Sequence, residues 1–220
     1  YPILSAGMGP SLIGEKTGAP VERVVAVSEA GGLGVLGGAG YTVEELRDAI
    51  RDIGKQTDRP FGVDVLLPAA TVAAGDAPAE SARKIPLRDA LKGLPEAHRE
   101  WFLRIKEELG MPDTEALISG GTTTARPQAA VQACIDESVP LFCAGLGKPG
   151  RTVESAHAAG MKVLGIAGNA RNAGSSAAAG ADLGVAQGHE AGGHTGRVGS
   201  MALWPQASDA AAPTPVLAAG

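Results

Sequence analysis

What most constrains this chain is a rhythm of short apolar runs, each bounded by Gly or Pro and most of them followed by a helical pattern. The runs fall at Pro2–Met8, Leu33–Gly37, Phe61–Leu67, Pro140–Leu146, Lys162–Ala167, Asp182–Gln187 and Thr214–Ala219. They are apolar throughout rather than alternating, so each strand needs cover on both faces. Single helices between strands return every strand in the same direction through right-handed crossovers. The fold class is therefore α/β with a parallel sheet.

The helical patterns lie near Val21–Ala30, Thr42–Ile50, Gln128–Glu137, Thr152–Ala159 and Ala170–Ala179. In the clearest, Thr42 can cap, Glu44 and Glu45 occupy the first turn, and Val43, Leu46 and Ile50 share a face. One strand and one helix per unit suits a (β/α)8 TIM-type barrel at least as well as an open doubly wound sheet.

Residues 68–117 break the rhythm with Ala, Pro and charge. Within them Glu96–Leu109 sets Trp101, Phe102, Ile105 and Leu109 at helical spacing, a stripe expected to pack an extra helix onto the barrel. The segment reads as an inserted helical lid or flap after the third strand, where barrels build their active-site loops. Setting it aside leaves about 170 residues, against the roughly 250 of a complete barrel. The expectation is one domain, 1–220, C-terminally incomplete, with the eighth strand lacking in this chain.

Composition removes several partners. A formal charge of -5, with no Lys/Arg cluster interleaved with aromatics, excludes a nucleic-acid platform. No apolar run approaches the roughly 20 residues of a membrane span, and Tyr1-Pro2-Ile3-Leu4 lacks the basic start of a signal peptide, so no membrane role and a cytoplasmic location are expected. Cys134 and Cys143 provide neither a disulfide framework nor a four-ligand metal site, and read as reduced core residues.

The densest collection of chemistry is Ala186-Gln187-Gly188-His189-Glu190-Ala191-Gly192-Gly193-His194-Thr195-Gly196, which starts where a strand ends. Gln187 offers one acceptor and two donors, Gly192-Gly193 lets backbone N–H groups approach a flat or anionic ligand, and His194 supplies an imidazole able to exchange a proton near neutral pH. Together they suit proton abstraction beside a bound cofactor. A metal reading of His189, Glu190 and His194 is disfavoured, because the spacing departs from the His-Glu-x2-His helix motif and two glycines oppose a helix.

Other glycine clusters are weaker. Gly31 to Gly38 superficially matches a dinucleotide fingerprint, but a strand lies inside the glycines, whereas the fingerprint follows a strand and opens a helix. Gly165-Ile166-Ala167-Gly168-Asn169 leaves room for a ligand and an amide at the rim. Ser5-Ala6-Gly7-Met8-Gly9 ends a strand in small residues and a Met, giving backbone access to a planar ring.

With those residues in view, the sequence resembles the nitronate monooxygenase family, formerly called 2-nitropropane dioxygenases, over nearly the whole chain. The resemblance is carried by Pro2–Met8, Gly32–Gly37, Pro60-Phe61-Gly62-Val63-Asp64, Pro215–Gly220 and, most specifically, Ala186–Gly196. It implies an FMN-dependent barrel oxidoreductase acting on a nitronate or nitroalkane with molecular oxygen, with a homodimer left open. By position it implies that Gly7 and Met8 lie against the flavin through backbone, that Gln187, Gly192 and the adjacent Gly193 contact FMN, and that Gly220 begins the phosphate cradle. His194 would be the catalytic base, and no metal is implied. Asp64 stands where many relatives have Asn, so a flavin contact there gains charge and loses an amide donor.

Two other readings stay open. The flavin-dependent enoyl-acyl-carrier-protein reductases have a similar Gly-Gly-His string, and there NAD(P)H would reduce FMN and an enoyl thioester would take the hydride. A truncated barrel that binds a ligand without turnover is the reading from another class.

Overall fold

The structure, a computed structural model, describes residues 2–9, 20–67, 84–111, 117–119, 127–147, 149–150 and 152–220. Its central feature is a sheet of parallel strands built from β1 (Gly34–Gly37), β2 (Phe61–Leu66), β5 (Leu141–Gly145), β6 (Lys162–Ala167), β7 (Leu183–Gln187) and β8 (Val216–Ala219), hydrogen-bonded in that order. Every neighbouring pair is parallel, with registers such as Gly37↔Asp64, Asp64↔Cys143 and Ala167↔Ala186. This is the α/β class read from the apolar runs.

The expected first strand, Pro2–Met8, is a correction. It runs parallel beside β1 but touches it through two isolated bridges, Leu4↔Leu33 and Met8↔Leu36, not a continuous ladder. Side chains interrupt the pairing between those points. The Ser5 hydroxyl accepts from Val35 N–H at 3.0 Å, and the Arg23 guanidinium donates to the Val35 carbonyl at 3.1 Å. Arg23, on α1 (Pro20–Glu29), also donates to the carbonyls of Ala6 and Met8 at 2.8 and 2.9 Å. One cation thus ties this segment to the sheet edge, and its partial burial lowers the guanidinium pKa.

The helices that cover the sheet are α1, α2 (Val43–Gln56), α5 (Pro127–Asp136), α6 (Thr152–Ala158), α7 (Ala170–Ala178) and α8 (Ser200–Ala211). Thr42 caps α2 as expected. Its hydroxyl accepts from Glu45 N–H at 3.2 Å while the Glu45 carboxylate accepts from Thr42 N–H at 3.0 Å. On its opposite face α2 buries Leu46, Ala49, Ile50 and Ile53, and Arg47 and Arg51 reach Asp136 and Glu137 at the end of α5.

Strand alternation divides the apolar side chains into two layers. Val63, Val65, Phe142, Ala144 and Val163 point outward and pack with α2 and α5. Val35, Leu141, Cys143 and Leu164 form the inner layer with Leu4, Leu33, Ile166, Leu183, Val185 and Leu217. Cys134 and Cys143 are both free and buried, and burial raises both thiol pKa values, that of Cys134 to about 12.

Helix α8 was missed by the sequence reading. Pro205 lies inside it and its buried face consists largely of small residues, Ser200, Ala207 and Ala211 beside Leu203, so the apolar periodicity is faint. The 68–117 segment also differs from expectation, and residues 68–83 and 112–116 lie outside the described residues. Besides the helices α3 (Leu87–Lys92) and α4 (Glu96–Glu108), it contains β3 (Lys84–Pro86), which pairs antiparallel with β4 (Leu117–Ser119) at and just beyond its end. Helix α4 buries none of its residues, and its stripe leaves Trp101 at 56% and Leu109 at 70% exposure. Phe102 and Ile105 on the same stripe are half-buried, so among the described residues the stripe is partly covered at its middle and open at its ends.

At the N-terminal edge of the sheet, the Asp182 carboxylate accepts from Lys162 Nζ at 2.8 Å and Val163 N–H at 2.9 Å, and meets His157 Nε2 at 2.8 Å. Burial pushes its pKa up, but these partners outweigh it and hold the carboxyl at about 2, below the ordinary 3.8. A depressed folded-state pKa gives stability that is present above the unfolded value and lost as pH falls. The stability difference between wild type and Asp182→Asn, measured by denaturant unfolding, should therefore be full above pH 3.8 and close towards about pH 2. A difference independent of pH in that window would contradict the assignment.

Candidate functional site

Parallel pairing brings the C-terminal ends of all six strands to one rim, the edge at which sheets of this kind place ligands. The sequence-derived candidates gather there in two sets. Gly7, Met8 and Asp64 lie at the β1–β2 side, and Gln187, Gly192, Gly193, His194 and Gly220 at the β7–β8 side, with β5 and β6 between. Alternation along β2 and β7 puts Asp64 and Gln187 on the inner face, opposite in sense to the outward Val63 and Ala186.

Asp64 is enclosed by backbone. A Cβ placed on Gly7 would lie 2.6 Å from the Asp64 Cβ, and one on Gly145 would lie 2.9 Å from Oδ1, so only glycine lets the 2–9 segment and β5 approach this side chain. The residue is half-buried overall, yet its Oδ1 is closed to solvent and has no hydrogen-bond partner. Burial raises the carboxyl pKa to about 7. An orphaned buried oxygen of this kind calls for a partner. Met8 nearby is 56% exposed, and its carbonyl is held by Gly37 N–H and by Arg23.

The loop after β7 is pinned at several points. Gly188 N–H donates to the Ala219 carbonyl at 2.9 Å and His189 N–H to Val198 at 2.9 Å, while His189 Nδ1 lies 3.3 Å from the Gly196 carbonyl. Gln187 Nε2 donates to the Gly192 carbonyl at 3.1 Å, joining two of the predicted cofactor contacts directly. Gly193 has φ 71°, in the left-handed region, and both Gly192 and Gly193 face open space. His194 follows, exposed, with no side-chain hydrogen bond among the described residues.

Glu190, which the sequence reading weighed only as a metal ligand, has a structural task. Its carboxylate accepts from Ser200 N–H at 2.8 Å and from the Ser200 hydroxyl at 2.6 Å, capping α8 from a distant loop. These bonds from Ser200 lower its pKa. No group of three or more His, Cys, Asp or Glu able to hold a metal occurs among the described residues. Ser200 in turn wedges between strand ends: a Cβ on Gly188 would meet its Oγ at 2.1 Å, and one on Gly220 at 1.9 Å. Gly220, expected to open a phosphate cradle, thus packs its Cα against the start of α8.

Sequence reasoning missed Arg23, Glu190 and Ser200 as positioning groups. Glu190 was visible within the motif, whereas nothing in the sequence places Arg23 or Ser200 against their partners. The Asn169 amide, read as a rim group, instead caps α7, accepting from Asn172 N–H at 2.8 Å. A cleft of about 380 Å³ lined by Arg51, Thr57, Arg59, Phe61 and Glu137 lies at the opposite, N-terminal end and contains none of the candidates.

The geometry defines an α/β protein whose rim carries a glycine-rich, histidine-bearing loop at one side of the sheet and a carboxyl with a buried, unpartnered oxygen at the other. The chain belongs to the nitronate monooxygenase family, whose sequence pattern it matches over residues 1–220. A Mycobacterium tuberculosis protein named for monooxygenase activity is 39% identical over 207 residues, which are 90% of this chain and 53% of the relative. A Staphylococcus haemolyticus protein named as a probable nitronate monooxygenase is 29% identical over 232 residues, 100% of this chain and 57% of the relative. Among solved structures, the nitroalkane oxidase of Streptomyces ansochromogenes matches with TM-score 0.68 and 27% identity over 97% of this chain and 56% of that one. FabK of Thermotoga maritima matches with TM-score 0.65 and 27% identity over 98% and 49%. The chain spans about half the length of the curated relatives it matches.

The Ser200 wedge gives a direct test. Gly188→Ala should force the start of α8 away from the β7–β8 ends and cost about 1–3 kcal/mol, the usual range for overpacking. Chemical denaturation measures this, and an unchanged midpoint would show that the contact is slack.

Proposed function

We propose that residues 1–220 belong to a single flavin-binding (β/α)8-type barrel domain, with 68–117 inserted as a helical lid or flap, and that the protein oxidises nitronates or nitroalkanes with molecular oxygen using FMN. The observation that carries this reading is the rim of two halves: the orphaned Asp64 Oδ1 beside Gly7, and the open Gly192-Gly193 backbone held by Gln187. A flat, polar-edged ring system fits such a rim, since it needs close backbone approach and hydrogen-bond partners at its edge.

In this reading Gly7, Met8, Asp64, Gln187, Gly192 and Gly193 hold the flavin, and Gly220 stands at its phosphate end. Bound FMN supplies the electron transfer and oxygen chemistry that no side chain here can perform. The protein's own chemical contribution is His194, which accepts the proton from the carbon bearing the nitro group. Family membership and the likeness to nitroalkane oxidase support the substrate class.

The exposed position of His194, free of side-chain partners among the described residues, leaves the imidazole available to a small substrate. His194→Ala should retain a flavin spectrum after gel filtration but lose about 10²- to 10⁴-fold in oxidation of neutral nitroalkane, the usual size of a general-base effect. Oxidation of preformed nitronate should fall much less, because the proton is already gone. Equal rates on nitroalkane for variant and wild type would remove His194 as the base.

The enoyl-thioester reductase reading is favoured by the likeness to FabK, with TM-score 0.65. Steady NAD(P)H consumption driven by an enoyl thioester, without turnover of nitronate, would select it instead.

A further inference from the structure

We infer, building on the flavin reading above, that Asp64 meets the ligand as a neutral carboxylic acid, donating its proton in a hydrogen bond to an acceptor on the ring system, a carbonyl or ring nitrogen. Flavin binding by this chain then weakens as the solution becomes alkaline.

The geometry supports a neutral acid at several points. Oδ1 is closed to solvent and unpartnered, and two glycine backbones, Gly7 and Gly145, press on the carboxyl group. A buried carboxylate needs a cation or several donors, and among the described residues this one has neither. Of the groups facing it, Cys143 on β5 is a buried thiol whose own pKa is raised by burial and by the Asp64 charge. The segment 2–9 and β1 carry no ionisable side chain, and Arg23, which reaches their backbone from α1, is bound to the Ala6, Met8 and Val35 carbonyls. Among the described residues no charge on the packed elements therefore rewards ionisation, and the protonated form carries an O–H able to donate to a ligand acceptor at the rim. The site would accordingly favour a ring edge presenting an acceptor, where an ionised Asp64 would favour one presenting a donor.

Riboflavin is the suitable probe, since it lacks the phosphate whose own ionisation would add a second slope. Fluorescence titration of the wild-type chain should give a dissociation constant that is level in mild acid and rises about tenfold per pH unit above neutrality, as one-proton linkage requires. Asp64→Asn keeps the shape and a permanent donor, so its affinity should be level across the same range. A level wild-type profile, or the same slope in both proteins, would overturn the inference while leaving the flavin reading intact. Failure of both proteins to bind riboflavin or FMN would overturn the flavin reading and this inference with it. Infrared difference spectra of the wild type need no variant: a protonated carboxyl band must be present at about pH 6 and bleach through neutrality. Its absence in mild acid would equally overturn the proposal.

Discussion

Parallel pairing is the constraint on which the rest of the molecule depends. An antiparallel neighbour could return by a tight turn and place its chemistry at either edge, but a parallel strand must cross back over the sheet before pairing again. That requirement produces the helices on the outer face and sends every strand's last residue to one rim. The same edge therefore collects Asp64 from β2, Gly145 from β5, Gly168 after β6 and Gln187 from β7, residues far apart in sequence. The opposite edge collects stabilising contacts, such as the Asp182, Lys162 and His157 cluster.

The second consequence is a two-faced sheet in which alternation decides which side chains meet the helices and which meet the interior. Outward positions are filled by Val, Ala, Leu and Phe against α2, α5 and α8. Inward positions are apolar at the N-terminal end and change character at the rim, where Asp64 and Gln187 replace the aliphatic residues. A carboxyl at such a place is poorly served by its own protein surroundings. Its Oδ1 cannot reach water and among the described residues meets no cation, so burial raises the carboxyl pKa. Had position 64 fallen one residue earlier or later, the side chain would have pointed into the α2–α5 layer.

Much of this was legible in the sequence because it rests on local signals. Continuous apolar runs between glycines identify β1, β2 and β5 to β8 closely, since an apolar strand with no polar alternation stands out between its flanking turns. Thr42 and Glu45 mark the start of α2 because a capping box is written within four consecutive residues. The rim loop stood out because Gln187, Gly192, Gly193 and His194 are near one another in the chain. What was not legible depends on partners distant in sequence. Pro2–Met8 reads as a strand, but Ser5 and Arg23 take over its pairing with Val35. Helix α8 hides behind Pro205 and a buried face of mostly small side chains. The stripe of α4 was legible as a pattern, yet its exposure depends on neighbours that no pattern names.

The Glu190–Ser200 contact shows how such a distant partner changes the meaning of a motif. Taken alone, a glycine-rich loop followed by a helix N-terminus suggests an anion site, because unpaired N–H groups and the helix dipole both favour negative charge. Here the protein supplies that anion itself. Glu190 occupies the Ser200 N–H and hydroxyl, and Gly188 and Gly220 close on either side of Ser200. The start of α8 therefore serves the loop by anchoring one end, not a ligand by offering its donors. With Gly188 and His189 fixed by Ala219 and Val198, the segment left facing open space is Gly192-Gly193, together with the exposed His194. The carboxylate that looks most like a metal ligand in the sequence is thus what holds the loop, and the glycines beside it are what remain for recognition.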